Sequence, residues 1–121
     1  MQDSEIYGIG IDQVEIERIA EAVENQPRFS ERILTIKENE IYETYRSKRR
    51  RAEFLAGRFA VKEAFSKAIG TGIGKNLSFQ DVECLKNEKG SPYISSSPFK
   101  GQVYVSITHT AELATAMVLL S

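Results

Sequence analysis

Two short segments of this chain place an acid where packing alone would favour an apolar side chain. Asp12 closes Ile9-Gly10-Ile11-Asp12, and Glu63 interrupts Phe59-Ala60-Val61-Lys62-Glu63-Ala64-Phe65. A carboxylate in apolar surroundings needs a cation, a proton or a hydrogen-bonding partner to offset its lost hydration. A metal ion shared by Asp12 and Glu63 would serve both. Each acid also has a purely structural explanation. Asp12-x-x-Glu15 has the spacing of an N-terminal capping pair with Asp in place of Ser or Thr, and Glu63 with Lys67 has that of a helix-surface ion pair.

The elements that must hold these groups follow from periodicity. Tyr7, Ile9 and Ile11 alternate with Gly8 and Gly10, which predicts a strand with one apolar face and one bare face open to another backbone or a ligand. Ile16, Ile19, Ala20 and Val23 recur at helical spacing and predict a first helix directly after it. Thr35-x-x-Glu38 marks the start of a second helix, with Ile41, Tyr42 and Tyr45 on its inner face. A third, from about Ala52 to Ile69, carries apolar residues around nearly its whole circumference, the pattern of a helix buried on most sides. Gly70-Thr71-Gly72-Ile73-Gly74 ends it. The period then becomes two. Leu77 to Leu85 and Pro92 to Ser95 flank the turn Asn87-Glu88-Lys89-Gly90, and Val103 to Ile107 leads through His109-Thr110-Ala111-Glu112 into Leu113 to Leu120 as a second hairpin. Strand, three helices, then antiparallel strands is an α+β order.

Composition narrows the function classes. With 121 residues, 41% hydrophobic and 27% charged, residues 1–121 read as one soluble globular domain. A net charge of −1 provides no global attraction for polyanions, which argues against nucleic acid as a partner despite Arg46 to Arg51. The single cysteine, Cys84, excludes an internal disulfide and fits a reducing compartment. Met1 to Glu5 lacks the features of a secretory signal, and Leu113 to Leu120 is far shorter than the about 20 apolar residues that span a bilayer, so a cytoplasmic protein without membrane contact is expected. Gly8-x-Gly10 is not a dinucleotide fingerprint, because Gln13 stands at the third glycine and no βαβ unit follows. A non-enzymatic module whose basic run contacts nucleic acid or an acidic partner, or a purely structural trimer subunit, are the rival readings.

Ile9 to Asp12 followed by Phe59 to Lys67 resembles the two-part signature of the phosphopantetheinyl transferases. The Phe54-Leu55-Ala56-Gly57-Arg58-Phe59 lead-in, the glycine-rich exit and the late Val105-Ser106-Ile107-Thr108-His109-Thr110 strand are similar to the small trimeric group of that family, and the likeness runs from about Ile6 to Leu120. The resemblance implies the fold of that family and transfer of the 4′-phosphopantetheine arm of coenzyme A to a serine of apo acyl carrier protein, with release of adenosine 3′,5′-bisphosphate, a step that activates the carrier for fatty acid biosynthesis. Such phosphoryl transfer demands charge neutralisation and in-line placement. The resemblance makes Asp12 and Glu63 the metal ligands, and two carboxylates without a neighbouring His or Cys suit Mg²⁺, with Mn²⁺ as a substitute, over zinc. Larger relatives carry a third acid two positions after the first. Here that position is Val14, so water or substrate would complete the metal shell.

The same resemblance makes Glu63 and Lys67 catalytic, with the Lys67 ammonium directed at the diphosphate. For the serine proton it leaves Glu63 or a metal-bound water, and a cation that weakens Glu63 as a base while acidifying its own water favours the water. For coenzyme A it implies Arg58, Lys62, Ser106, Thr108 and His109, with Lys48 to Arg51 as further phosphate candidates. The glycine run could offer backbone N–H groups to phosphate, although a C-cap and turn explains it equally well. For the acidic carrier it implies Arg18, Arg28 and an exposed Phe29. It further implies a homotrimer with clefts between subunits, and the bare Gly8/Gly10 face and the apolar last strand are compatible with such packing.

Overall fold

The computed structural model describes residues 5–121, so Met1 to Ser4, part of the segment read for a secretory signal, lie outside it. β1 (Gly8–Glu15) leads into α1 (Ile16–Asn25), the short α2 (Phe29–Ile33), α3 (Ile36–Thr44) and the 22-residue α4 (Lys48–Ile69). A 3₁₀ turn at Phe79–Asp81 precedes β2 (Glu83–Lys86) and β3 (Pro92–Ser96), and β4 (Val103–His109) and β5 (Leu113–Leu120) close the chain. The α+β order expected from the sequence is the order found. β1, β5 and β4 form an antiparallel sheet in that order, while β2 and β3 form a separate hairpin.

α4 is the axis of the molecule because from Ala52 onward it carries apolar residues around nearly its whole circumference. One apolar cluster, including Ala60, Val61, Ala64 and Phe65, packs on Val118 and Leu120 of the sheet. Another, including Leu55 and Ala56, packs under Ile16, Ile19, Ile33 and Tyr42 of the helices around it. Gly8 and Gly10 set how close β1 comes: a Cβ on Gly8 would collide with the carbonyl of Ala68, and one on Gly10 with that of Ala64. The bare face of the strand is thus filled by the backbone of α4 within the same chain. This corrects the expectation that the glycine face is free for a second subunit. The apolar face left open is the opposite one, where Ile9 is 58% exposed and Met117 42%, with Ile11 and Tyr104 beside them.

Several boundaries differ from those read in the sequence. Asp12 does not cap α1, because β1 keeps its pairing with β5 through Glu15↔Leu113. The N-cap residue is Glu15, whose side chain makes no capping bond. α2 adds a helix to the expected three, and at five residues it is too short to show a period. α4 begins at Lys48, four residues before the expected Ala52, because Ser47 caps it by accepting the Arg50 N–H at 3.0 Å. Leu77 to Val82 is not strand: Ser78 and Asp81 cap the 3₁₀ turn there. The Thr35/Glu38 capping box is present as read.

Candidate active site

Strand alternation puts Asp12 on the same face as Gly8 and Gly10, so the close approach of β1 carries its carboxylate to the flank of α4. There Lys67 Nζ donates to Asp12 Oδ1 at 3.0 Å and to the carbonyl of Ile11 at 3.0 Å. Glu63 lies one helical turn before Lys67 and is half-buried. Burial, and then the negative charge of Asp12, push the Glu63 carboxyl above its ordinary range, with Lys67 pulling the other way. The two acids therefore share one electrostatic site. Neither structural explanation holds: Asp12 lies inside a strand, and Lys67 pairs with Asp12 in place of Glu63.

Such a site fits a hard divalent cation. Its donors are two carboxylates, and no group of three or more His, Cys, Asp or Glu gathers anywhere among the described residues. Mg²⁺ is ordinarily held this way, by one or two carboxylates with substrate phosphate oxygens and waters completing an octahedron.

A cavity of about 230 Å³ opens beneath the β2–β3 hairpin, lined by Tyr45, Arg50, Phe54, Arg58, Lys86 and His109 among others. Arg58 is 4% exposed. Its Nε donates to the carbonyl of Cys84 at 3.1 Å, and its guanidinium lies 4.3 Å from the Phe54 ring centroid. Its Nη2 is the one buried side-chain polar atom without a hydrogen-bond partner among the described residues. An orphaned cationic donor is costly, and Arg58 also lines the cavity, where a guanidinium suits an anion. Arg50 stacks over Tyr45 at 4.5 Å and reaches Glu53 at 3.2 Å. Glu53 also accepts from Arg49 at 2.9 Å, and that bond foremost holds its carboxyl below the ordinary range.

The acid site and the cavity lie on opposite flanks of α4. Arg58 and Lys67 are nine positions apart, about 180° around a helix that turns about 100° per residue. Arg58 reaches toward β2 and Lys67 toward β1.

Other residues named from the sequence fall in different places. Lys62 is 0% exposed, with its ammonium donating to Glu38 Oε1 and to the carbonyl of Ile33, each at 2.6 Å. It has no atom to offer coenzyme A, which corrects that assignment. Ser106 and Thr108 are exposed on the outer face of β4 with Tyr104, while His109 at the strand end lines the cavity. The basic run divides: Lys48 pairs with Glu24, Arg51 donates to the carbonyl of Tyr45, and of the run only Arg50 lines the cavity. Gly70, Thr71 and Gly72 all direct their N–H groups at the Ser66 carbonyl, at 3.0, 3.2 and 3.2 Å, so the first three residues of the glycine run are a helix cap whose donors are already used. Arg18 and Arg28 are exposed, Arg28 pairing with Glu31 at 3.1 Å. Phe29 is half-buried, its ring 6.5 Å from that of Phe59, and not exposed as expected. Lys86 was not singled out in the sequence, where it is one more charge in a short strand. Only the folding of the hairpin over α4 brings it to the cavity.

Comparison with known proteins identifies the family. The family described as the 4′-phosphopantetheinyl transferase superfamily matches residues 8–118. A holo-[acyl-carrier-protein] synthase of Bacillus pumilus is 57% identical over 116 residues, covering 95% of each chain. That of Bacillus subtilis is 56% identical over 117 residues with the same coverage. Among solved structures, the synthase of Bacillus anthracis in complex with CoA (3′,5′-ADP) superposes with a TM-score of 0.88 at 44% identity, covering 97% of both chains. The Helicobacter pylori synthase in complex with coenzyme A has a TM-score of 0.81 at 38% identity, covering 93% of this chain and 99% of that one. The chain belongs to the 4′-phosphopantetheinyl transferase superfamily, as an enzyme of its holo-[acyl-carrier-protein] synthase group.

Proposed function

We propose that this chain transfers the 4′-phosphopantetheine arm of coenzyme A to a serine hydroxyl of an apo acyl carrier protein. The serine oxygen bonds to the phosphorus that bears the pantetheine arm and gives up its proton to solvent, the bridging P–O bond breaks, and adenosine 3′,5′-bisphosphate leaves with the electron pair of that bond. The observation that carries the reading is the division of charge in the site: a carboxylate pair with Lys67 on one flank of α4, and on the other a cavity with an unpartnered Arg58 donor. Asp12 and Glu63 would hold Mg²⁺, which when bound supplies neutralising charge for the diphosphate. Lys67 places its ammonium against the non-bridging oxygens as charge builds there. Arg58, Arg50, Lys86 and His109 receive the 3′-phosphate end of the nucleotide, Arg through forked donors and Lys as a point charge.

One copy presents these two halves on opposite flanks, where no single extended ligand touches both without wrapping a helix. A homotrimer resolves this if the Asp12/Glu63 flank of one subunit faces the Arg58/His109 cavity of its neighbour. The open apolar face of Ile9, Ile11, Tyr104 and Met117 supplies the contact, and Ser106 and Thr108 on that side would reach the ligand across it. Arg18 and Arg28, with the partly covered Phe29, form the docking surface for the acidic carrier, steering encounter more than adding affinity. Cytoplasmic residence fits the lone thiol of Cys84. No helix among the described residues is long and apolar enough to cross a membrane.

Incubation with apo carrier protein, coenzyme A and Mg²⁺, read by intact mass, tests the reading. A carrier mass increase of one phosphopantetheine that chelator abolishes is the expected result. An unmodified carrier under all conditions would refute it.

A further inference from the structure

The buried pair Glu38–Lys62 stands outside the machinery described above, yet it is bonded into it. Both side chains are 0% exposed. Glu38 Oε1 accepts from Lys62 Nζ at 2.6 Å and from the Thr35 N–H at 2.9 Å. Its Oε2 accepts from the Cys84 N–H at 2.7 Å. Cys84 lies in β2, whose other neighbour is β3 alone, so the backbone groups on its far edge need partners from elsewhere. Glu38 provides one for the N–H. Arg58 provides one for the carbonyl of the same residue, through Nε at 3.1 Å. Lys62 completes the chain from the other end, tying Glu38 to α4 and to the Ile33 carbonyl at the end of α2.

Stability alone explains this arrangement poorly. Taking two charges fully out of water is expensive, and buried ion pairs are often no more stabilising than well-packed apolar residues of equal volume. Geometry explains it better. A planar guanidinium fixed at Nε and stacked on Phe54 has little freedom left, and the donor it cannot satisfy internally is Nη2. The position of that donor depends on where the Cys84 carbonyl sits, which Glu38 sets through the N–H of the same residue.

We propose that Glu38 and Lys62 are positioning residues for anion recognition, fixing Arg58 through the backbone of Cys84 so that its guanidinium, at the wall of the cavity, meets the 3′-phosphate of the nucleotide. The proposal rests on the reading that the Arg58 cavity takes that phosphate. Calorimetric binding of adenosine 3′,5′-bisphosphate and of 5′-AMP, which lacks the 3′-phosphate, separates the two. The wild type should prefer the bisphosphate, and Arg58→Met should lose about tenfold of that preference, the worth of a hydrogen bond to a charged group. The double variant Glu38→Gln/Lys62→Met, which leaves no lone buried charge, should lose a similar factor while binding 5′-AMP as the wild type does. Full preference in the double variant with loss in Arg58→Met would overturn the positioning role and leave the cavity reading intact. Full preference in Arg58→Met would overturn both. If the double variant does not fold, hydrogen exchange in the wild type decides: the Cys84 N–H and Arg58 Nε–H should be strongly protected, and rapid exchange of either would overturn the proposal.

Discussion

Lys67 of α4 sits on Asp12 of β1, bonding both the carboxylate and the adjacent Ile11 carbonyl at 3.0 Å. The lysine occupies an oxygen that a divalent cation would use, so cation and ammonium compete for Asp12. Lys67→Met should therefore bind Mn²⁺ more tightly, by up to about fivefold, since a half-exposed ion pair is worth at most about 1 kcal/mol. Turnover in the same variant should fall about a hundredfold or more, because a preorganised charge at the transition state is lost. Paramagnetic resonance of free Mn²⁺ and steady-state kinetics check the pair of outcomes. Unchanged affinity would show that Lys67 does not guard the acid.

Glu63 has a raised carboxyl pKa because of burial, then the Asp12 charge. The folded protein therefore holds this proton at pH values where the unfolded chain has released it. Stability contributed by the protonated group is lost as pH rises from the unfolded value near 4.5 through the folded one, and at neutral pH the ionised group is a liability. Metal-free Glu63→Gln should melt slightly higher than the metal-free wild type at neutral pH, by up to about 2 °C, and the difference should vanish in acid. Added Mg²⁺ should raise the melting temperature of the wild type only. A variant that melts lower in metal-free buffer would contradict the shared-site account.

Gly10→Ala drives a methyl group into the carbonyl of Ala64. Backbone on backbone leaves no flexible side chain to yield, so β1 must lift from α4 at a cost of about 2–4 kcal/mol. Asp12 moves with the strand. Urea unfolding should show the loss of stability, and the protein that remains folded should bind Mn²⁺ more weakly. A neutral effect on both would mean that the close approach does not set the acid site.

What could be read in the sequence depended on how local the cause was. The Thr35/Glu38 box was legible because both partners lie three residues apart. The encircling apolar pattern of α4 announced its burial, and the two acids stood out by contrast with it. Asp12 invited misreading as a cap because the pairing that keeps it extended comes from Ala116, more than a hundred residues later. Lys62 looked available for phosphate for a similar reason. Its partners, Glu38 and the Ile33 carbonyl, come from helices whose packing no periodicity in α4 reveals. The apolar alternation of β1 was correct, but which face met α4 was decided by the glycines, through backbone contact instead of side-chain burial.

On the proposed trimer, one active site draws its carboxylates from one subunit and its nucleotide cavity from the next. Co-expression of Glu63→Gln, inactive alone, with Arg58→Met, about tenfold impaired alone at coenzyme A well below KM, separates one shared site from two independent ones. Random mixing in a trimer places an intact acid flank against an intact cavity at about one site in four, so pantetheinylation should recover to about a quarter of the wild-type rate. Activity no higher than that of Arg58→Met alone would mean that each subunit builds its site by itself.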